Sequence, residues 1–186
     1  MEIIFTQVSS EDHLKQILNL QKMNLRRSIS ADEVRNEGFV TCEHSFDLLQ
    51  KMNHPHPHII ALSDDRVVGY CLVMSPIWRK ELPVLHSMFE KIEQQSWKTC
   101  SIKSEDYIAM GQVCIGQEFR KKGLFRKMYA YYKEQLSPWF RYCITEVDQA
   151  NTRSLNAHDS IGFQHLHSFD GGDGHQWELI IWDWRS

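Results

Sequence analysis

Apolar residues change their period several times along the chain, and each change marks an element. Residues 2–8 form a short β-prone run, and Ser9 or Ser10 supplies an oxygen able to cap the helix that follows. Beyond it Leu14, Ile17, Leu18 and Leu25 recur at helical spacing. Ser30 and Glu33 frame a second helix start, a capping box in which each side chain satisfies the other's free amide. Residues 43–52 hold a further short helix. Residues 58–62 and 67–74 read as strands joined by Ser63, Asp64 and Asp65, an antiparallel hairpin. Residues 82–97 predict a helical insertion. Tyr107–Ile115 (YIAMGQVCI) is apolar on both alternating faces, as a central strand covered on both sides must be. Leu124, Phe125, Met128, Tyr129, Tyr132 and Leu136 share one helical face, and Pro138 ends that helix. Residues 142–147 are another strand and 151–161 another helix. Residues 163–168 and 176–182 form a closing hairpin around Gly171, Gly172, Asp173 and Gly174. Strands and helices that interleave in this way imply an α/β protein with a mixed sheet and helices packed on it.

At 186 residues and 22.0 kDa the chain is expected to form one domain, 1–186, with the insertion near 76–106. Apolar residues at 42% and charged residues at 24% exclude a disordered or fibrous chain. The formal charge of −3 argues against a dedicated nucleic-acid binder and leaves room for a local basic patch. Five cysteines (Cys42, Cys71, Cys100, Cys114, Cys143) contain no CxxC pair and are odd in number, which suggests neither a disulfide framework nor a zinc knuckle. The first residues lack the basic and apolar regions of a signal peptide, and no apolar run approaches the roughly 20 residues of a membrane helix. The expectation is a reduced, cytoplasmic protein with neither nucleic acid nor membrane as partner.

The sharpest electrostatic feature lies between the central strand and the long helix. Five of the eight residues from Arg120 to Lys127 are basic, on a chain that is acidic overall. Gly123 lets the backbone turn sharply there and leaves the first helical amides without internal partners. Bare amides and the helix dipole favour an anion, commonly a phosphate. A solvated basic turn entering an amphipathic helix would look the same.

Ile115-Gly116-Gln117-Glu118-Phe119-Arg120-Lys121-Lys122-Gly123-Leu124-Phe125 resembles the acetyl-CoA signature of the GNAT superfamily of N-acetyltransferases. That signature has a strand, an acidic-aromatic turn, then Arg or Gln, two residues, Gly, one residue, and Gly or Ala. Downstream, Asn151, Ser154, His158 and Gly162-Phe163 stand where the family has Asn, Ala, Tyr and Gly-Phe. The resemblance covers nearly the whole chain, most loosely near 76–106, and implies the GNAT fold with a central mixed sheet of about six to seven strands. Phe125 departs from the small residue usual at the last signature position. The helix's apolar stripe offers it a place in the core; facing the ligand, it would weaken cofactor affinity. His158 departs from the tyrosine that commonly protonates the leaving thiolate, a step imidazole can also perform near neutrality.

The resemblance implies that acetyl-CoA is the co-substrate and an amine the acceptor, with no metal. The pantetheine arm would pair with the backbone of Val113, Cys114 and Ile115, one amide stabilising the developing oxyanion. The diphosphate would rest on the amides from Lys121 through Leu124 to Phe125, with Arg120, Lys121, Lys122 and Arg126 adding charge. Asn151 caps its helix, and the family uses this neighbourhood, Ser154 included, to bind the cofactor. Glu146, late in the following strand, is the candidate base for the amine's proton, and His158 the candidate acid. The plainer readings are a solvent-facing strand carboxylate and a helix-surface histidine. Acceptor contacts would come from the first helical pair and the closing hairpin, where Glu33, Glu37, Asp170 and Asp173 are acidic. A homodimer accords with the family.

Three competing chemistries follow from single features. Cys114 near the expected thioester invites a covalent acyl-enzyme, but the sequence supplies no adjacent base and central-strand cysteines are usually core residues. His54, His56 and His58 alternate with prolines, and His165 with His167 repeats the spacing; histidines two apart on an extended segment share a face, so a metal site is conceivable. A non-catalytic CoA-binding module of the same fold is the alternative to an enzyme. Nothing in the sequence selects the amine.

Overall fold

The computed structural model describes residues 2–28, 39–40, 42–80, 86–172 and 174–185. The Ser30–Glu33 capping box, Glu33, Glu37, Asp173 and the start of the insertion helix lie outside them. The elements run β1 (Ile4–Gln7), α1 (Glu11–Asn24), α2 (Phe46–Met52), β2 (Ile59–Ser63), β3 (Arg66–Met74), α3 (His86–Glu93), β4 (Ser96–Trp97), β5 (Cys100–Ser101), β6 (Tyr107–Ile115), α4 (Leu124–Leu136), β7 (Tyr142–Asp148), α5 (Thr152–Asp159), β8 (Gln164–Asp170) and β9 (Gln176–Asp183). Seven strands make a mixed sheet in the order β1-β2-β3-β6-β7-β9-β8, with the short hairpin β4–β5 apart from it. The α/β class and the mixed sheet are as the sequence implies. In the insertion α3 ends at Glu93, and Trp97 belongs to β4 rather than to a helix.

Tertiary contacts divide the chain into two compact units, residues 1–73 with 111–135 and residues 74–110 with 136–186. In the first, Ser10 caps α1 through His13 N–H, and Glu11 and Asp12 in the first turn suit the helix dipole. Leu14, Ile17 and Leu20 of α1 pack with Leu49, Ile60, Tyr70, Leu72 and Cys114 into its core. Asp64 and Asp65 take φ of 49° and 61°, giving the β2–β3 hairpin its two-residue turn. His58, wholly buried, joins α2 to β3: its Nδ1 accepts the Val73 N–H at 3.0 Å and its Nε2–H donates to the Leu49 carbonyl at 3.2 Å. Both ring nitrogens of this third histidine of the His-Pro alternation are therefore engaged within the fold.

In the second unit β6 and β7 pair in parallel from Tyr107–Tyr142 to Ala109–Ile144, and β7 pairs antiparallel with β9 over its whole length. A bulge between His165 and His167 shifts the β8–β9 register, so that His165 stands opposite Ile180 and His167 opposite Leu179. The two histidines consequently lie on opposite faces, against the expectation that they share one. His165 instead meets Ser168 and Glu178, and His167 stacks on Phe169. The insertion is held by Arg79, whose guanidinium pairs with Glu93 and lies over Phe89. No helix among the described residues is long and apolar enough to cross a membrane.

Gly162 ends α5 at φ 108°, and a Cβ there would stand 2.9 Å from the Trp182 indole nitrogen. That indole is flanked by the rings of Phe163 and Trp184, so it has little room to retreat. Gly162→Ala is expected to cost about 2 kcal/mol or more, roughly 5 °C in thermal midpoint. A midpoint within 2 °C of the parent would contradict this account.

Candidate functional site

Strand β6 changes character midway. Tyr107 through Met110 are buried, whereas Gly111, Gln112 and Val113 are half-buried. The ladder to β7 stops at Ala109–Ile144, and the Thr145 hydroxyl donates to the Met110 carbonyl at 2.8 Å. A side chain thus takes the carbonyl that the next rung of backbone would have used, and β6 runs five residues further. Gly116 N–H closes the strand's end onto the Val68 carbonyl at 2.8 Å. Val113, Cys114 and Ile115 lie in this second half.

The turn after β6 is built in three steps. Gln117–Phe119 make a 3₁₀ turn that begins at Gly116 and buries Phe119. Arg120 returns to extended backbone; its guanidinium donates through Nε to the Ile115 carbonyl at 3.0 Å and also bonds the Asn24 side chain. It is spent on locking the turn to β6 and α1, more than the added charge expected of it. Lys121 and Gly123 then take φ of 61° and 77°, and α4 starts at Leu124. A Cβ on Gly123 would meet nothing within 4 Å among the described residues, so no packing against them demands glycine there.

This loop suits an anion. The first intrahelical bond of α4 comes from Lys127 N–H to the Gly123 carbonyl, so the amides of Leu124, Phe125 and Arg126 precede the helical ladder. The first turn holds no acidic residue. Arg126 and Lys127 are exposed there and oppose the helix dipole, a cost of roughly 0.3–1 kcal/mol each that a bound anion would reverse. Lys122 lies 5.4 Å over the Phe119 ring, beside exposed Lys121. Leu124 is buried, and half-buried Phe125 packs its ring 4.9 Å from that of Tyr129, continuing the aromatic row of α4. Burial pushes the Cys114 thiol up to about 12, which leaves it protonated and a poor nucleophile.

The other expected residues belong to the second unit. Glu146 is half-buried on β7, opposite Leu179 of β9. Asn151 caps α5, its side chain accepting the Ser154 N–H at 3.2 Å, as expected. His158 fits neither sequence reading, being 2% exposed. Its Nδ1–H donates to the Ser154 carbonyl at 2.8 Å and its ring meets Phe163 edge-on at 5.0 Å. Burial pushes its pKa down to about 4, so near neutrality it is an uncharged packing group and a poor proton donor. Asp170 is exposed and accepts the Gly172 N–H within the hairpin turn.

Sequence reasoning passed over a second carboxylate–imidazole pair. Asp148 ends β7, 5% exposed, with Oδ1 accepting the Ala150 N–H at 2.8 Å and Oδ2 2.7 Å from His175 Nδ1. Twenty-seven residues separate the pair, and no motif announces it. The alternation along β7 did place Asp148 on the face of Glu146, which is the one signal available.

The family model of the GNAT acetyltransferase family matches residues 22–163. Among solved structures the chain is similar to an acetyltransferase of the GNAT family from Streptococcus agalactiae, at 13% identity and TM-score 0.65 over 97% of this chain and 95% of that one. It is similar to the ribosomal-protein-S18-alanine N-acetyltransferase of Escherichia coli at 9% identity and TM-score 0.63, over 98% and 94%. It also resembles a chain of the NatC complex bound to Gag peptide and CoA, at 12% identity and TM-score 0.64, over 98% and 99%. No curated protein matches the sequence. With more than half of its length matched by the family model, on the fold those relatives share, the chain belongs to the GNAT acetyltransferase family.

Proposed function

We propose that the protein is an N-acetyltransferase that moves an acetyl group from acetyl-CoA to a primary amine by direct attack, working as one domain. The observation that carries this is the turn at Gly123: left-handed backbone at Lys121 and Gly123, a Cβ position that no described residue fills, and a helix start whose first turn is basic and holds no acidic residue. The amides from Lys121 to Phe125 would take the diphosphate, with Lys121, Lys122 and Arg126 adding charge. The backbone of Val113, Cys114 and Ile115, beyond the end of the β6–β7 ladder, would pair with the pantetheine arm, and Asn151 and Ser154 would stand near the cofactor. Acetyl-CoA supplies an activated thioester. The reaction forms an N–C bond, breaks the C–S bond, and releases CoA thiol and one proton from the ammonium acceptor.

Glu146 remains the candidate to collect the amine's proton, directly or through water. The neutral, packed state of His158 leaves protonation of the thiolate to water or to the acceptor's own proton. The −3 charge accords with a cationic acceptor; the reading includes a cytoplasmic enzyme that needs no metal and acts as a monomer or homodimer. Purified protein incubated with acetyl-CoA and a panel of polyamines, amino acids and peptides is expected to release thiol only when an acceptor is present. Cys114→Ala is expected to keep turnover within about threefold of the parent. Binding of CoA without thiol release for any amine would favour a non-catalytic module; loss of turnover in a folded Cys114→Ala would favour a covalent route.

A further inference from the structure

The first unit contains a polar cluster for which acetyl transfer, as set out above, has no use. Gln112 stands on the half-buried stretch of β6, one residue before Val113. Its Oε1 accepts from Gln21 Nε2 at 2.7 Å and from the Tyr70 hydroxyl at 2.7 Å, and its Nε2 donates to the Cys42 carbonyl at 2.9 Å. Gln21, 1% exposed, accepts the His44 backbone N–H on Oε1 at 2.8 Å. That bond fixes the orientation of the Gln21 amide, so its second Nε2 hydrogen goes to His44 Nδ1, also at 2.8 Å. The His44 imidazole is thereby an acceptor at Nδ1, neutral, with its proton on Nε2. Burial holds it in that state, its pKa pushed down to about 4.

These bonds fasten the chain that follows α1. Val40 exchanges backbone bonds with Asn24 and Arg26 at 3.2 and 3.1 Å; Cys42 is held by Gln112 and His44 by Gln21. The fastenings fall two residues apart. Apolar packing would cover the same surface without fixing register, whereas the directional bond from Gln112 Nε2 sets Cys42 against β6, and the bonds from Gln21 and Tyr70 to Gln112 Oε1 hold that amide in place. Gln21, His44 and Tyr70 are buried and Gln112 half-buried, with the Gln21 and Tyr70 donors matched to acceptors, so a partly broken version of the network is costly.

We infer that Gln112 is a positioning residue for the acceptor: it registers the Cys42–His44 segment against the strand that would carry the thioester, and so sets where the amine stands without touching the cofactor. The inference rests on the acetyl-transfer reading. The segment is tied to the residue next to Val113, so a displacement is felt at the acyl end of β6 and not at the Gly123 turn, eleven residues further on.

Gln112→Met keeps the side-chain length and removes all three bonds. It is expected to raise KM for the amine at least tenfold, while kcat at saturating amine and the Kd for CoA stay within threefold. Gln21→Met is expected to do the same, and the double variant to be no worse than either single one, because both release one latch. A role in stability alone would scale kcat with the folded fraction and leave KM unchanged. Tyr70→Phe, which removes one oxygen, supplies a milder variant with an expected rise of about threefold if Gln112→Met does not fold. An unchanged amine KM in folded, active variants, or a parallel loss of CoA affinity, would overturn the inference. Should the parent acetylate no amine, the acetyl-transfer reading fails on its own; hydrogen exchange of peptides covering residues 42–48 then decides whether the latch exists, and unchanged protection in Gln112→Met overturns it.

Discussion

Gly123→Val is expected to weaken CoA binding by at least a hundredfold while lowering the thermal midpoint by only a few degrees. The asymmetry follows from two observations at one residue. At φ 77° a β-branched side chain is strained, at a cost of order 1–3 kcal/mol that backbone relaxation reduces. The neighbouring Lys121 already tolerates φ 61°, so the turn does not depend on glycine alone for its folding. Against this, a Cβ at 123 would meet no atom of the described residues within 4 Å. Packing among the described residues therefore gains nothing from a bare position, whereas a ligand lying on the amides of Leu124 to Arg126 would gain a great deal. Excluding the phosphates from those amides is worth about 2.7 kcal/mol for each hundredfold in Kd. Isothermal calorimetry with CoA against both proteins gives the answer. Equal affinity in a folded Gly123→Val would remove the central support for cofactor binding, and a collapse of stability without the affinity loss would assign the glycine to folding.

That turn was legible in the sequence because its signal is local. A glycine flanked by five basic residues between an apolar strand and an amphipathic helix is a contiguous pattern, and β6 and α4 have the predicted bounds, Tyr107–Ile115 and Leu124–Leu136. Asn151 was legible for the same reason, since a cap acts over three residues. What could not be read depends on register or on distance. The bulge at His165–His167 reverses which face a histidine occupies, and nothing in Gln-His-Leu-His-Ser announces an extra residue in the ladder. The Gln21–Gln112–Tyr70 network joins residues up to 91 positions apart through amides that carry no motif. His158 shows the opposite error: four residues from Ser154 on one helix, it invites comparison with a catalytic tyrosine, but burial by Phe163 and its own helix decides its charge state. Periodicity reports which residues are covered. It does not report what a covered polar group is bonded to, and that is what sets a pKa.

Acid is expected to destabilise the protein steeply between pH 6.5 and 4, well before surface carboxylates are fully protonated. Three buried histidines, His44, His58 and His158, have pKa values pushed down by burial to about 4, about 3 and about 4. In the unfolded chain each titrates near 6.5, so in this window the unfolded state binds more protons than the native one. Stability then rises with pH: the contribution is fully present above 6.5 and is lost as pH falls toward the native values, at about 1.4 kcal/mol per pH unit for each histidine. By pH 5.5 the three together cost roughly 4 kcal/mol, a large share of the 5–15 kcal/mol typical of a folded domain. Geometry gives the same sign, because a proton on His58 Nδ1 would confront the Val73 N–H and one on His44 Nδ1 the Gln21 amide. Urea unfolding at pH 7.5, 6.5 and 5.5, followed by circular dichroism and by tryptophan fluorescence, separates the contributions. All six tryptophans lie in residues 74–110 and 136–186, the unit that holds His158, while His44 and His58 belong to the other. Coincident transitions should carry the slope of three protons, and separate ones slopes of two and one. His158→Gln should remove one proton from the slope, and a stability that stays flat from pH 7.5 to 5.5 would mean that these imidazoles are not buried neutral in solution.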